Sequence, residues 1–155
     1  MTPDLSLVIP LRDEEMNVLP LHEELIPPLR RLGLSYEIIL VDDGSDDGTF
    51  ERLAEVQARD PLVRVVRFQR NFGQTAAFAA GFARAPAPLI VTADGDLQTD
   101  RADIPPLLAR PQVAGVRDDG LVALLRDHDR PRPARPDLLD VGDDLVVQDG
   151  PPARR

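Results

Sequence analysis

The chain has 155 residues, 43% of them hydrophobic, with a formal net charge of −9 and a sequence pI near 4.6. That length suits one domain with a real core, and the apolar content argues against wholesale disorder. The acidic balance argues against a nucleic-acid backbone as partner, and the absence of cysteine excludes disulfides, a thiolate nucleophile and Cys-ligated zinc.

Leu5 to Pro10 reads as a first strand, ended by Pro10 because proline has no amide hydrogen for a ladder. A polar turn from Leu11 to Glu15 follows, and Asn17 is placed to cap a helix. Val18, Leu21, Leu25, Leu29 and Leu32 recur at helical spacing, and Gly33 ends the helix. Pro27-Pro28 is expected to kink or split it. Tyr36 to Val41 is a second strand running into Asp42-Asp43-Gly44-Ser45-Asp46-Asp47-Gly48-Thr49. Ser45 or Asp46 is placed to cap the next helix. A calcium loop starting at Asp43 fails, because Ala54 stands where Glu is required. Phe50, Leu53, Ala54 and Gln57 mark an amphipathic helix to about Arg59, broken by Asp60-Pro61. Val63 to Phe68 is a third strand, Gln69 to Gly73 a loop, and Gln74 to Ala83 a short Ala-rich helix that can pack closely. A brief apolar run, Leu89-Ile-Val-Thr-Ala, then ends in Asp94-Gly95-Asp96-Leu97-Gln98. After it, Thr99 to Asp103 cap a last short helix carrying Ile104, Leu107 and Leu108.

Strand and helix alternate throughout, which predicts an α/β fold with a mostly parallel sheet and right-handed crossovers. Ligands collect at the carboxyl ends of such strands, where Asp42, Asp43, Asp94 and Asp96 lie. No Gly-x-Gly-x-x-Gly or Walker loop is present, so neither a dinucleotide site nor a P-loop is supported. Along extended backbone Asp94 and Asp96 point the same way, and Gln98 follows at the same spacing. Two carboxylates and an amide oxygen suit Mg²⁺ or Mn²⁺ that also grips a diphosphate. Asp-Gly-Asp by itself is equally a solvated turn. An EF-hand starting at Asp94 fails at Thr99 and Pro105. An aspartyl-phosphate phosphatase is a weaker alternative, disfavoured by Gln98.

Taken together, Val8-Ile-Pro10, Glu14, Asn17, Ile39 to Thr49, Arg70-Asn71-Phe72-Gly73-Gln74, Ala80-Gly81 and Asp94-Gly95-Asp96-Leu97-Gln98 resemble family 2 glycosyltransferases. The similarity is to the polyprenyl-phosphate branch, dolichyl-phosphate mannosyltransferase-like, and covers roughly residues 4 to 109. The resemblance implies the three-layer, Rossmann-like GT-A fold, truncated to its donor-binding half. It implies that Pro10, Leu11, Arg12 and Glu14 line the nucleotide pocket, that Asp42 contacts the base with Asp43 beside it, and that Asp94 and Gly95 approach the ribose and diphosphate. Asp96 and Gln98, with Asp94 nearby, are the implied Mg²⁺ or Mn²⁺ ligands, and Asp96 the implied catalytic residue. Arg117 is the implied phosphate contact, and Arg70 either offsets phosphate charge or is a solvated loop residue. The implied reaction is inverting transfer from a nucleotide-sugar donor to a polyprenyl-phosphate acceptor, which needs no strong general base. No role follows for His22 or His128.

Beyond about Arg110 the match fades. Residues 111–155 are rich in Pro, Arg and Asp and read as an irregular tail, with Val113 to Arg117 as a faint strand. Every basic residue is Arg, a bias of GC-rich coding, and a frameshift or truncation would give such a tail. A binding-only remnant is therefore the alternative to an active transferase. No basic start with an apolar core marks a signal peptide, and no run reaches the ~18–20 apolar residues of a membrane helix. The expected location is cytoplasmic, peripheral at the inner face of a membrane that supplies the lipid acceptor or a membrane partner.

Overall fold

The computed structural model describes residues 2–97, 104, 114–116, 122–125 and 145–148. Three strand–helix units open the chain: β1 (Leu5–Leu11) and α1 (Val18–Arg31), β2 (Tyr36–Asp42) and α2 (Thr49–Arg59), β3 (Val63–Phe68) and α3 (Gln74–Arg84). β4 (Leu89–Thr92) closes the series. These four strands are parallel, in the spatial order β4-β1-β2-β3. The chain lays down β1, β2 and β3 in one direction, then returns to place β4 on the other side of β1. Strand order therefore reverses between β1 and β4, the place where open α/β sheets leave a crevice.

Side-chain alternation sorts the core into two halves. Leu5, Leu7, Ile9 and Leu11 of β1 join Ile38, Leu40, Val63, Val65 and Val91 beneath α1 and α2. Val8, Ile39, Val41, Val66, Phe68 and Ile90 face α3 on the opposite side. Every residue of β1 is buried, as its continuous apolar run requires for a central strand covered on both faces. The expected three layers and parallel sheet are thus present. α3 lies very close to the sheet: a Cβ on Gly81 would fall 2.3 Å from Cγ1 of Val8 and 3.4 Å from Cγ2 of Val41.

Local expectations differ from the structure at four places. β1 does not stop at Pro10 but runs on to Leu11. Residues 8 and 10 direct their peptide groups toward β4, as the bond from Ala93 N to Val8 O shows, yet pairing with β4 ends at Val8–Thr92. Pro10 therefore lacks a hydrogen where no ladder partner waits. α1 continues through Pro27-Pro28. The carbonyls those prolines leave unpaired belong to Glu23 and Glu24, both exposed, where solvent can bond them. Asn17 occupies the N-cap of α1 but makes no capping bond; its amide donates to Glu14 Oε2 at 2.5 Å. At α2 the N-cap is Gly48, neither Ser45 nor Asp46, and the Thr49 amide donates to Asp47 Oδ1 at 2.9 Å.

Among the described residues of 111–155, which read as irregular apart from Val113 to Arg117, three short strands join the sheet, the first of them within that expected stretch. β5 (Ala114–Val116) pairs antiparallel with β6 (Val122–Leu125), β6 with β4, and β7 (Leu145–Gln148) with β3. Four-residue runs such as Val122-Ala-Leu-Leu125 are too short to stand out against a Pro- and Asp-rich background. Ile104 is fully buried in the core beneath α1 and α2. The rest of the helix expected around it lies outside the described residues, as does the Pro- and Arg-rich run from Arg130 to Pro136. Among the described residues no helix is long and apolar enough to cross a membrane.

Gly81→Ala is expected to destabilise the fold by about 1–3 kcal/mol in urea unfolding, because the stiff Val8 side chain cannot withdraw. The opposing gain in helix propensity is only ~1 kcal/mol.

Candidate functional site

The carboxyl ends of the strands carry a cavity of about 530 Å³. Pro10, Leu11, Arg12 and Glu14 line it from the end of β1 and the loop after it, and Asp43 from the end of β2. Asn71, Gly73 and Gln74 come from the β3–α3 loop, and Asp94, Gly95 and Asp96 follow β4. Among the described lining residues four are acidic, Glu14, Asp43, Asp94 and Asp96, and one, Arg12, is basic. Gly95 forms part of the floor: a Cβ there would lie 2.7 Å from Leu11 Cδ2 and 3.1 Å from the Pro10 carbonyl oxygen. The segment after β4 can therefore lie directly against the end of β1 at this point.

Cross-loop hydrogen bonds hold the walls. Asp13, in the left-handed region at φ 51°, donates its amide to Ser45 Oγ at 3.0 Å and accepts the Asp46 amide at 2.8 Å. Glu14 N donates to Thr49 Oγ1 at 2.9 Å, and Gly48 N donates to Glu15 Oε2 at 3.1 Å. The acidic 42–49 loop thus spends Ser45, Asp47, Gly48 and Thr49 on capping and on aiming the loop that bears Arg12 and Glu14. Gly44, at φ 65°, is pressed against the next loop, where a Cβ would lie 2.2 Å from the Arg70 carbonyl carbon. Asp43 is saturated by that loop: Oδ1 accepts Phe72 N at 2.8 Å, and Oδ2 accepts Gly73 N at 3.1 Å and Asn71 Nδ2 at 2.8 Å. Gln74 Nε2 in turn donates to Asp94 Oδ1 at 3.2 Å.

Of the expected site residues, Pro10, Leu11, Arg12, Glu14, Asp43, Asp94, Gly95 and Asp96 meet at this cavity. Asp42 does not line it. Asp42 shares the face of Leu40 and Ile38 and turns toward α2, whereas Asp43 falls on the opposite face. The Asp42 carboxylate is fully buried. Its Oδ1 accepts the Ser45 amide at 3.0 Å, while Oδ2 lies 3.7 Å from Arg67 Nε and accepts no hydrogen bond among the described residues. Arg67 itself stacks 4.0 Å above the Phe50 ring. Burial, the largest influence, pushes the Asp42 carboxyl above its ordinary value of 3.8, against the Ser45 hydrogen bonds and Arg67, which pull it down. Arg70 also stands outside the lining, its guanidinium 4.3 Å above the Phe72 ring. Gln98 and Arg117 lie outside the described residues. Sequence reasoning gives Asn71, Gly73 and Gln74 no role of their own. Their position after a strand end, shared with Asp43 and Asp94, is the signal that places them near a ligand.

Asp94 and Asp96 do converge, but not through strand alternation. β4 ends at Thr92, the chain bends at Gly95 and Asp96, and Leu97 takes a positive φ of 60°. Among the described residues no group of three or more His, Cys, Asp or Glu side chains gathers as a metal cluster. The donor set nevertheless fits Mg²⁺ or Mn²⁺, hard cations commonly held by one or two carboxylates together with a ligand's phosphates. Such a cation would offset the negative charge of the acids among the described lining residues.

The family model described as Glycosyl transferase family 2 matches residues 6–116. A dodecaprenyl-phosphate galacturonate synthase of Rhizobium johnstonii is 46% identical over 107 residues, 68% of this chain and 32% of that protein. An undecaprenyl-phosphate 4-deoxy-4-formamido-L-arabinose transferase of Pectobacterium atrosepticum is 40% identical over the same shares. The chain spans about a third of the length of these curated relatives. A mannosyltransferase of Pyrobaculum calidifontis, solved with GDP-Man and Mn²⁺, superposes with a TM-score of 0.57 at 21% identity. The match covers 73% of this chain and 34% of that one. A glucosyl-3-phosphoglycerate synthase of Mycobacterium tuberculosis, solved with Mn²⁺ and UDP, gives 0.55 at 22%, over 68% and 38%. These likenesses bear out the expected GT-A fold.

A carboxyl held above its ordinary value favours the folded state when protonated. Its contribution is full below the unfolded pKa and is lost as pH rises through the folded one. Asp42→Asn keeps an oxygen for the Ser45 amide and has no charge to bury. In urea unfolding the variant is expected to match wild type below pH 3.8 and to gain on it progressively above that value.

Proposed function

The chain belongs to glycosyl transferase family 2, and on that premise we propose that it forms the donor-binding part of an enzyme that moves a sugar from a nucleoside diphosphate to a polyprenyl phosphate with inversion. One observation carries this reading: Asp94, Asp96, Arg12, Glu14 and the Gly95 floor share a single cavity where strand order reverses. The names of the relatives, which specify dodecaprenyl and undecaprenyl phosphate, support the acceptor class. Mn²⁺ in the solved neighbours supports a divalent metal. Family membership also displaces the phosphatase alternative.

The residues have distinct parts in this reading. Asp94 and Asp96 would hold Mg²⁺ or Mn²⁺, with Gln98 as the neutral oxygen donor expected from the sequence, and the metal would supply Lewis-acid stabilisation of charge on a departing diphosphate. Gly95 lets the segment that bears Asp94 and Asp96 lie close against Leu11 and Pro10, at the cavity. Arg12 brings a fixed positive charge to the wall, and Pro10, Leu11 and Glu14 shape the nucleotide side. The acceptor phosphate is already an anion, so no strong base is needed. His22 fits this scheme as a bystander, bonded to Asp60 at 2.8 Å between α1 and the end of α2. A lipid acceptor places the work at a membrane surface, the inner face in this reading.

The second reading kept from the sequence is a module that binds nucleotide and metal without transfer. Labelled nucleotide sugar incubated with polyprenyl phosphate separates the two: binding without lipid-linked product supports the second.

Calorimetric titration with UDP-, GDP- and dTDP-sugars, with and without Mn²⁺, is expected to reveal one metal-dependent ligand. Asp96→Ala should weaken the metal-dependent part by roughly tenfold or more, as expected for loss of one of only two protein carboxylates. Unchanged metal-dependent affinity in the variant would overturn the assignment.

A further inference from the structure

Asp43 lies at the cavity wall, yet its carboxylate is almost wholly engaged with protein. It is 4% exposed and accepts three hydrogen bonds from Asn71, Phe72 and Gly73, all in the next loop. Two of those donors are backbone amides immediately before α3, whose N-terminus carries partial positive charge and makes no side-chain cap of its own. Gly73 sits at φ 96°, a conformation the bond to its amide helps to fix. From this turn Gln74 reaches Asp94. Resting on the donor-site reading, we propose that Asp43 is a positioning residue. It acts on nucleotide and metal through the β3–α3 loop, setting Asn71, Gly73 and Gln74 into the wall and through Gln74 orienting Asp94.

The geometry distinguishes this role from direct contact. A carboxylate bonded to three N–H donors has little capacity left for a nucleobase, while the same bonds explain why Asn71 and Gln74 line the cavity. Asp43→Asn is a sharp probe, because its Nδ2 must face either the Phe72 amide or the Gly73 and Asn71 donors. Neither arrangement satisfies the loop.

Amide hydrogen exchange of the full chain without ligand, and UDP and GDP titrations with Mn²⁺, test the proposal together. In Asp43→Asn the Phe72 or Gly73 amide should exchange roughly ten- to hundredfold faster, the scale of one lost charge-assisted bond. Nucleotide affinity should fall along with it. Asn71→Ala, milder for folding, should do both to a lesser degree. The double variant should bind no worse than Asp43→Asn alone, since both act through one loop. Additive losses, or weaker binding with unchanged exchange, would overturn the proposal in favour of direct contact. Faster exchange with undiminished affinity would overturn it as a positioning role. If the wild-type chain binds neither nucleotide, the donor-site reading fails first and the link to Asp94 fails with it. Unchanged exchange in Asp43→Asn overturns the clamp whatever the wild type binds.

Discussion

The burial of β1 on both faces, with one edge paired in full and the other in part, governs the arrangement of everything else. Its seven residues pair with β2 along their whole length, but with β4 only from Leu5 to Val8. The last three residues therefore present a free edge on the β4 side, and Pro10, lacking a donor, occupies that edge without leaving a peptide hydrogen unsatisfied. The crevice begins at this point. The chain beyond β4 bends away over the Pro10 carbonyl, and Gly95 allows the approach because it carries no side chain. A cavity walled by β1, β2, β3 and β4 loops follows from the order of four strands and the early end of one ladder.

Electrostatics then separate the acids into roles. Asp42 and Asp43 are neighbours in sequence and opposites in circumstance. One is buried toward α2 with an oxygen that accepts no hydrogen bond among the described residues and lies 3.7 Å from Arg67; the other is bonded on both oxygens by a loop. Asp47 is spent on the start of α2, where the Thr49 hydrogen bonds hold its carboxyl below the usual range. Asp94 and Asp96 remain as the pair facing the cavity beyond β4. The acids thus divide into capping, clamping and cavity-facing groups according to which backbone amides each carboxylate reaches.

Much of this is legible in the sequence because local signals agree with the fold. The apolar runs of β1 to β4, the Gly33 stop and the Asp60-Pro61 break each correspond to an element or its end, and eight expected site residues share one cavity. The misread features depend on partners distant in sequence. Pro10 continues a strand because β4 has already ended, and Asp42 misses the cavity because alternation along β2 turns it to α2. Asn17 is the local exception, bonding to Glu14 three residues earlier instead of capping its own helix. No single stretch of sequence reveals which neighbour will be beside it. Short strands such as Leu145–Gln148 depend on a sheet edge already formed by distant residues.

The interlocked loops also constrain how such a chain can vary in length. Asp13 with Ser45 and Asp46, Gly44 against Arg70, and Asp43 with Asn71 each join two connections at a fixed residue spacing. Inserting or deleting a residue in any of the first three connections would put two of them out of step at once. Tolerance for insertions, normally the property of surface loops, should therefore be lowest here, and size differences among related chains should accumulate elsewhere.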